Sequence, residues 1–242
     1  MNRISTPIVI LLVSHAAFSA PPPAVTTCSS CSECSSLINS GAWDIVQLDT
    51  DLVDVGGTCV SIFGASTVVF DCNGHVIDGD DIAIDPEYGI YIYGASFEVT
   101  VRNCSVSDFS AGLALWNASN CSVEDSVFAS NGVGISAAYL TGTSFSSNIS
   151  TGNFTGLHLY DSADNNSFDF LESCGNSVAD VYDDGASGNS GACTRCGTPG
   201  NWNGSPSGDP MCWFACDHLF SNGFEFQTEC WSWSTWVGDT SP

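Results

Sequence analysis

With 242 residues, 43% of them hydrophobic, the chain is apolar enough to fold as one elongated domain with small end pieces, which excludes an intrinsically disordered polypeptide. Three arginines and no lysine stand against 27 acidic residues, for a formal net charge of −24. Such a surface cannot replace the counterions of a phosphate backbone, so a nucleic-acid partner is excluded, and strongly anionic membranes or polysaccharides are disfavoured unless divalent cations bridge.

Residues 1–19 read as a signal peptide: Arg3 is basic, Ile8–Val13 is apolar, and Ala17-Phe18-Ser19 is a small-x-small site ahead of Ala20. No later run is apolar and long enough to span a bilayer. An exported, secreted or cell-surface protein is therefore expected. Residues 20–44 form a Cys/Ser/Pro-rich lead-in and N-terminal cap. Trp43–Leu48 reads as the first strand, suited to covering the open end of a core.

Residues 45–186 carry a repeat. Gly89-Ile90-Tyr91-Ile92-Tyr93 recurs as Gly112-Leu113-Ala114-Leu115-Trp116, Gly134-Ile135-Ser136-Ala137-Ala138 and Gly156-Leu157-His158-Leu159-Tyr160, at steps of 23, 22 and 22 residues. Val178-Ala179-Asp180-Val181-Tyr182 is a fifth copy that lacks the glycine. Each phrase alternates apolar and polar or aromatic positions, the signature of a strand with one buried face. A unit of this length holds three short strands, with Val99–Val101 and Cys104–Val106 as the second and third. Stacked about 4.8 Å apart, such units predict an all-β, right-handed parallel β-helix of about five to six coils.

Three inward columns follow at this period. They are Val60-Ile90-Leu113-Ile135-Leu157-Ala179, Ile62-Ile92-Leu115-Ala137-Leu159-Val181 and Val101-Val123-Phe145-Phe168. The larger step of 30 from Val60 to Ile90 places an acidic loop in Asp78–Glu87. Asn131, Asn153 and Asn176 suit one sharp corner and predict a stacked amide ladder. Residues 187–242 leave the period, with five tryptophans and five cysteines, and read as a stapled C-terminal cap and tail. Within it, Phe220–Glu225 followed by Trp231 resembles a short tail of exported bacterial proteins, with Asn222 in place of the usual aspartate.

The thirteen cysteines cluster toward the ends, as expected of disulfides in an exported chain, and their odd number leaves one thiol over. Cys193-x2-Cys196 and Cys212-x3-Cys216 resemble zinc-ligand pairs, a reading set below stapling in an oxidising compartment. Cys72, Cys104 and Cys121 lie inside the coils and are expected as small core residues. Asn-x-Ser/Thr patterns stand at Asn103, Asn117, Asn120, Asn148, Asn153, Asn165 and Asn203.

Phe70-Asp71-Cys72-Asn73-Gly74-His75-Val76-Ile77-Asp78-Gly79, with Gly89–Ile92 and Val99–Cys104, resembles right-handed parallel β-helix repeat proteins of the NosD-like, pectate-lyase-like superfamily. The resemblance implies the fold over residues 45–186 and no single function, since lyases, hydrolases, epimerases, adhesins and non-catalytic proteins share it. Sugar polymers are the partner it most often implies.

Function therefore rests on outward residues. Phe63, Tyr93, Trp116, Tyr160 and Tyr182 are expected in one exposed column, and such rings present an apolar body and polar tip suited to sugar. Asn117, Asp161, Asp183 and Asp184 follow the rings and are candidates for hydroxyl contacts. In the neighbouring column Ser136, His158 and Asp180 fall 22 apart, in nucleophile–base–orienter order, although a flat strand offers serine no strained elbow or oxyanion donors. Asp80 and Asp81 resemble the aspartate pair of polygalacturonase-like hydrolases, whose histidine and Arg-x-Lys clamp find no match here. Asp180, Asp183 and Asp184, and the Asp78–Glu87 acids, are the candidate calcium ligands. The favoured expectation is non-catalytic carbohydrate contact. A divergent polysaccharide-active enzyme and a self-associating structural or adhesin component are the alternatives.

Overall fold

Alternating side chains along each phrase are realised as three parallel sheets wound round one core. The computed structural model describes residues 21–80, 86–197, 199–200, 212–214 and 216. The signal segment, Asp81 and most of the tail, with Asn203 and the Phe220–Trp231 motif, lie outside the described residues. Sheet I begins with Val25–Cys28 and Ile45–Leu48 and ends with Ser190–Ala192. Sheet II runs from Leu52–Val55 to Cys212–Phe214, and sheet III from Val60–Phe63 to Pro199–Gly200. Sheets I and II have eight strands and sheet III seven, so the solenoid exceeds the five to six coils expected. The surplus strands lie at the ends, in segments where the phrase is absent.

The inward columns hold as expected through most of the stack. Val46, Phe70, Val101, Val123, Phe145 and Phe168 succeed one another in sheet I, all fully buried, and the last two rings stack at 4.6 Å. Each such side chain contributes about 1.5–3 kcal/mol relative to exposure.

Corners are held by side chains that take the place of backbone. Asn153 Oδ1 accepts from Asn131 N at 2.8 Å, and Asn176 Oδ1 accepts from Asn153 N at 3.0 Å, as the expected ladder requires. A second ladder joins Thr143, Asn166 and Asn189 at another corner, and Ser126 and Asn148 serve the third. Two of the glycosylation-type asparagines, Asn148 and Asn153, are thereby buried in the framework. The phrase glycines lie against these ladders. A Cβ on Gly134 would stand 2.0 Å from Ser150 Oγ and 2.7 Å from Gly156 O, which explains why the position admits no side chain.

The period slips in the last copies, and this corrects four expectations. Leu157 pairs with Val181, 24 residues on, so Ala179 and Val181 do not continue the columns proposed for them. Part of the extra length sits at the corner formed by Asp161 and Ser162, both with positive φ (45° and 62°). Tyr182 consequently stacks on His158 rather than on Tyr160, and Asp183 falls in the inward column beneath Leu159. Asp180 is 2% exposed and takes the place where earlier copies carry glycine. Its Oδ1 accepts from Asn176 N and Nδ2, and its Oδ2 from Gly197 N at 2.8 Å, so a carboxylate closes the asparagine ladder.

The N-terminal end is closed by a helix, Cys31–Asn39, where the sequence reading expected the Trp43–Leu48 strand to do so. Ser30 caps it by accepting from Glu33 N, and Glu33 reaches back to Ser29 N at 2.8 Å. Cys34 and Ile38 cover the core, and Cys28–Cys34 and Cys31–Cys59 disulfides tie the helix down. Ser35 and Asn39, one turn apart, complete the free edge of sheet III. Ser35 Oγ accepts from Ser61 N at 2.9 Å, and Asn39 donates to Ser61 O at 2.8 Å and accepts from Phe63 N at 2.9 Å.

Cys72 and Cys104 are not separate core thiols. They stack at one corner of successive coils, Cα atoms 4.8 Å apart, and form a disulfide. Near the other end Cys174 pairs with Cys216, and Cys193 and Cys196 are also disulfide-bonded, as stapling rather than zinc predicts. Cys121 is the free, buried thiol among the described residues.

Candidate functional site: the outer face of sheet III

Sheet III presents two outward columns. One reads Phe63, Tyr93, Trp116, Ala138, Tyr160 and Asp184; the other reads Ser61, Tyr91, Ala114, Ser136, His158 and Tyr182. A bulge at Gly94 and Ala95 absorbs the one-residue excess of the Gly89-to-Gly112 step and keeps Tyr93 beside Trp116. The rings form two groups. Phe63 meets Tyr93 at 5.0 Å, Tyr93 stacks on Tyr91 at 4.3 Å, and Tyr91 meets Tyr88 at 4.6 Å. In the second group Trp116 lies 5.6 Å from Tyr139 and stands edge-on to Tyr160 at 6.3 Å, bridging the buried Ala138 between them. His158 packs between Tyr160 at 4.7 Å and Tyr182 at 5.0 Å.

Between the groups the floor is small: Ala114 and Ser136. Ser136 Oγ and Tyr160 Oη are 3.4 Å apart. Burial pushes the Tyr88 and Tyr91 hydroxyls up in pKa, and the nearby Tyr160 hydroxyl adds to both shifts. The floor of small residues at Ala114 and Ser136 thus lies between two groups of rings. Phe63 is 59% exposed and Trp116 42%, values too high for rings that merely seal a core.

The serine–histidine–aspartate order does not assemble. Ser136 and His158 are neighbours across coils, but Asp180 faces the interior. The Nε2 of His158 is buried without a hydrogen-bond partner among the described residues. Burial lowers the imidazole's pKa, with Asp184 and Asp183 opposing the shift. The calcium cluster also disperses. Asp183 is 3% exposed and accepts from Ala186 N, leaving only Asp184 of the three facing outward. Among the described residues no group of three or more His, Cys, Asp or Glu is placed to hold a metal ion. Asp80 is half-buried, its carboxylate lying over Gly56.

Of the sequence-derived contact residues, Tyr93, Trp116, Tyr160, Asp161 and Asn117 fall on or beside this face. Tyr182 belongs to it by the neighbouring column, and Asp183 does not belong. Tyr88 was not foreseen. It precedes the phrase glycine, outside the alternation that selected the others, and no sequence signal singles it out. Arg102, the one cation among the repeat strands, lies on sheet I with its Nη2 2.9 Å from Asp71. Burial alone would push the Asp71 carboxyl up. The Asn103 amide, the Asn73 N–H and Arg102 together hold it below the usual carboxylate range.

These sheets, corners and the capping helix define a disulfide-stapled parallel β-solenoid. A family model described as "Right handed beta helix region" matches residues 37–190, and the chain belongs to that family. Among solved structures the chain is similar to the A-module of mannuronan C-5 epimerase AlgE4 from Azotobacter vinelandii, with 14% identity and a TM-score of 0.36. That alignment covers 62% of this chain and 58% of the module, so the chain matches less than two thirds of the module's length. No curated protein matches the chain. No helix among the described residues is long and apolar enough to cross a membrane.

Proposed function

We propose that this protein works outside the cell or at its surface as a non-catalytic β-helix that binds carbohydrate along the outer face of sheet III. One observation carries the reading: Phe63 and Trp116 remain 59% and 42% exposed amid tyrosines on a rigid sheet, while every inward column is sealed. Flat rings stack on the apolar faces of sugar rings, and the hydroxyls of Tyr88, Tyr91, Tyr160 and Ser136 supply hydrogen bonds at their edges. Coils about 4.8 Å apart offer an extended glycan a regular platform along the solenoid axis. Four disulfides, each with both partners described, fit an oxidising compartment. Closure of the sheet III edge by Ser35 and Asn39 argues against filament growth through that edge.

A glycan array probed with the wild-type protein and a Trp116→Ala/Tyr160→Ala variant tests the reading. Binding by the wild type that is lost in a folded variant supports it. Equal signals from both, or no signal from the wild type, would refute it.

A further inference from the structure

From the charge distribution around this face, we infer that its ligand is an amino-glycan, a sugar polymer bearing free, protonated amines, in preference to a neutral or uronate polymer. The inference rests on the carbohydrate-binding reading above and narrows it. Carboxylates flank both groups of rings. Asp161 follows Tyr160 directly, Asp184 pairs with Tyr160 across the coils, and both are exposed. Glu87, half-buried, precedes Tyr88 in the first group of rings.

Among the described residues no cation balances them. The chain has no lysine, and the two arginines among the described residues lie on the other sheets. Arg102 is paired with Asp71 at 2.9 Å and Arg195 with Glu172 at 3.2 Å. His158, the basic side chain on the face, packs between two tyrosines. A uronate arriving here would bring carboxylates to carboxylates with nothing to pair them. An ammonium group would find ring faces to sit on and acids within reach, and the charge of −24 would steer a polycation toward the molecule. Neutral sugars would gain the stacking alone.

The probes are four hexasaccharides: β-1,4-linked glucosamine, its N-acetylated form, β-1,4-linked glucose, and a galacturonate. Each is titrated calorimetrically into the full-length protein at low and high salt, under conditions where the amine is protonated. The expected result is glucosamine binding about tenfold or more tighter than the acetylated or glucose oligomer at low salt, with the margin shrinking at high salt. An Asp161→Asn/Asp184→Asn variant should erase the preference, bringing the glucosamine oligomer down to the level of the neutral ones. Tyr160→Ala should weaken all of them. Neutral oligomers binding as tightly as glucosamine would overturn this inference and leave the carbohydrate reading intact. Binding of none would overturn both. A glucosamine preference that survives in both variants would place the amine elsewhere on the acidic surface and overturn the assignment to this face.

Discussion

Two stacks of side chains run along this solenoid, and they differ in kind. The asparagine corner at Asn131, Asn153 and Asn176 repeats one residue type, is buried in its core members, and closes on Asp180 with its polar groups bonded. The outer face of sheet III repeats a position but not a residue: Phe63, Tyr93, Trp116, Ala138, Tyr160, Asp184. Uniformity marks a stack whose neighbours are other copies of itself, since each amide must meet the same partner in the next coil. Variation combined with exposure marks a stack whose partner lies outside the chain. Breaking the first should unfold the protein, whereas breaking the second should leave it folded and unable to bind.

The largest effect is therefore expected at the corner. Asn153 Nδ2 donates to Phe128 O and to Asn176 Oδ1, each at 3.0 Å, and its Oδ1 serves Asn131. Asn153→Ala leaves several buried groups without partners and should cost about 3–5 kcal/mol in urea unfolding. Removing the Cys72–Cys104 disulfide by paired alanine substitution should cost about 2–4 kcal/mol by the same measurement. The contrasting change is Trp116→Ala/Tyr160→Ala. It should shift stability by about 1 kcal/mol or less, yet weaken glycan binding by more than about 1 kcal/mol per ring.

The smallest effect is a pH dependence that belongs to the face. His158 has a lowered pKa, mainly through burial, so the unfolded chain takes up its proton at higher pH than the folded one. Stability contributed by the neutral imidazole is thus full above the unfolded histidine value near 6.5 and falls as pH drops through the lower folded value. His158→Gln should flatten that acid-side loss when unfolding midpoints are compared across the window. An unchanged slope would show that His158 titrates as it does in the unfolded chain.

Much of the fold was legible because its core obeys a fixed step. Val101, Val123 and Phe145 stand 22 apart in sequence and one coil apart in space. The reading failed where the step changes without a marker. Two extra residues before Val181 moved Tyr182 to the neighbouring column and turned Asp180 and Asp183 inward, dissolving both the catalytic order and the calcium cluster drawn from them. Cys72 and Cys104, 32 residues apart, belong to adjacent coils only because the longer loop after Gly79 intervenes. The capping helix does carry a local sequence signal: Ser30 and Glu33 stand at capping-box spacing. The aromatic face was legible in outline through Tyr93, Trp116 and Tyr160. How far each ring is exposed depends on its neighbours in other coils, which no single phrase contains.

The central claim, that the sheet III face serves an outside partner, is tested most directly by paired measurements on Trp116→Ala/Tyr160→Ala: calorimetric titration with the best wild-type glycan, and urea unfolding of the same samples. The account predicts an unfolding midpoint close to wild type with binding reduced at least about a hundredfold, roughly 2.7 kcal/mol. Wild-type affinity in the variant, or unfolding losses as large as those of Asn153→Ala, would contradict it.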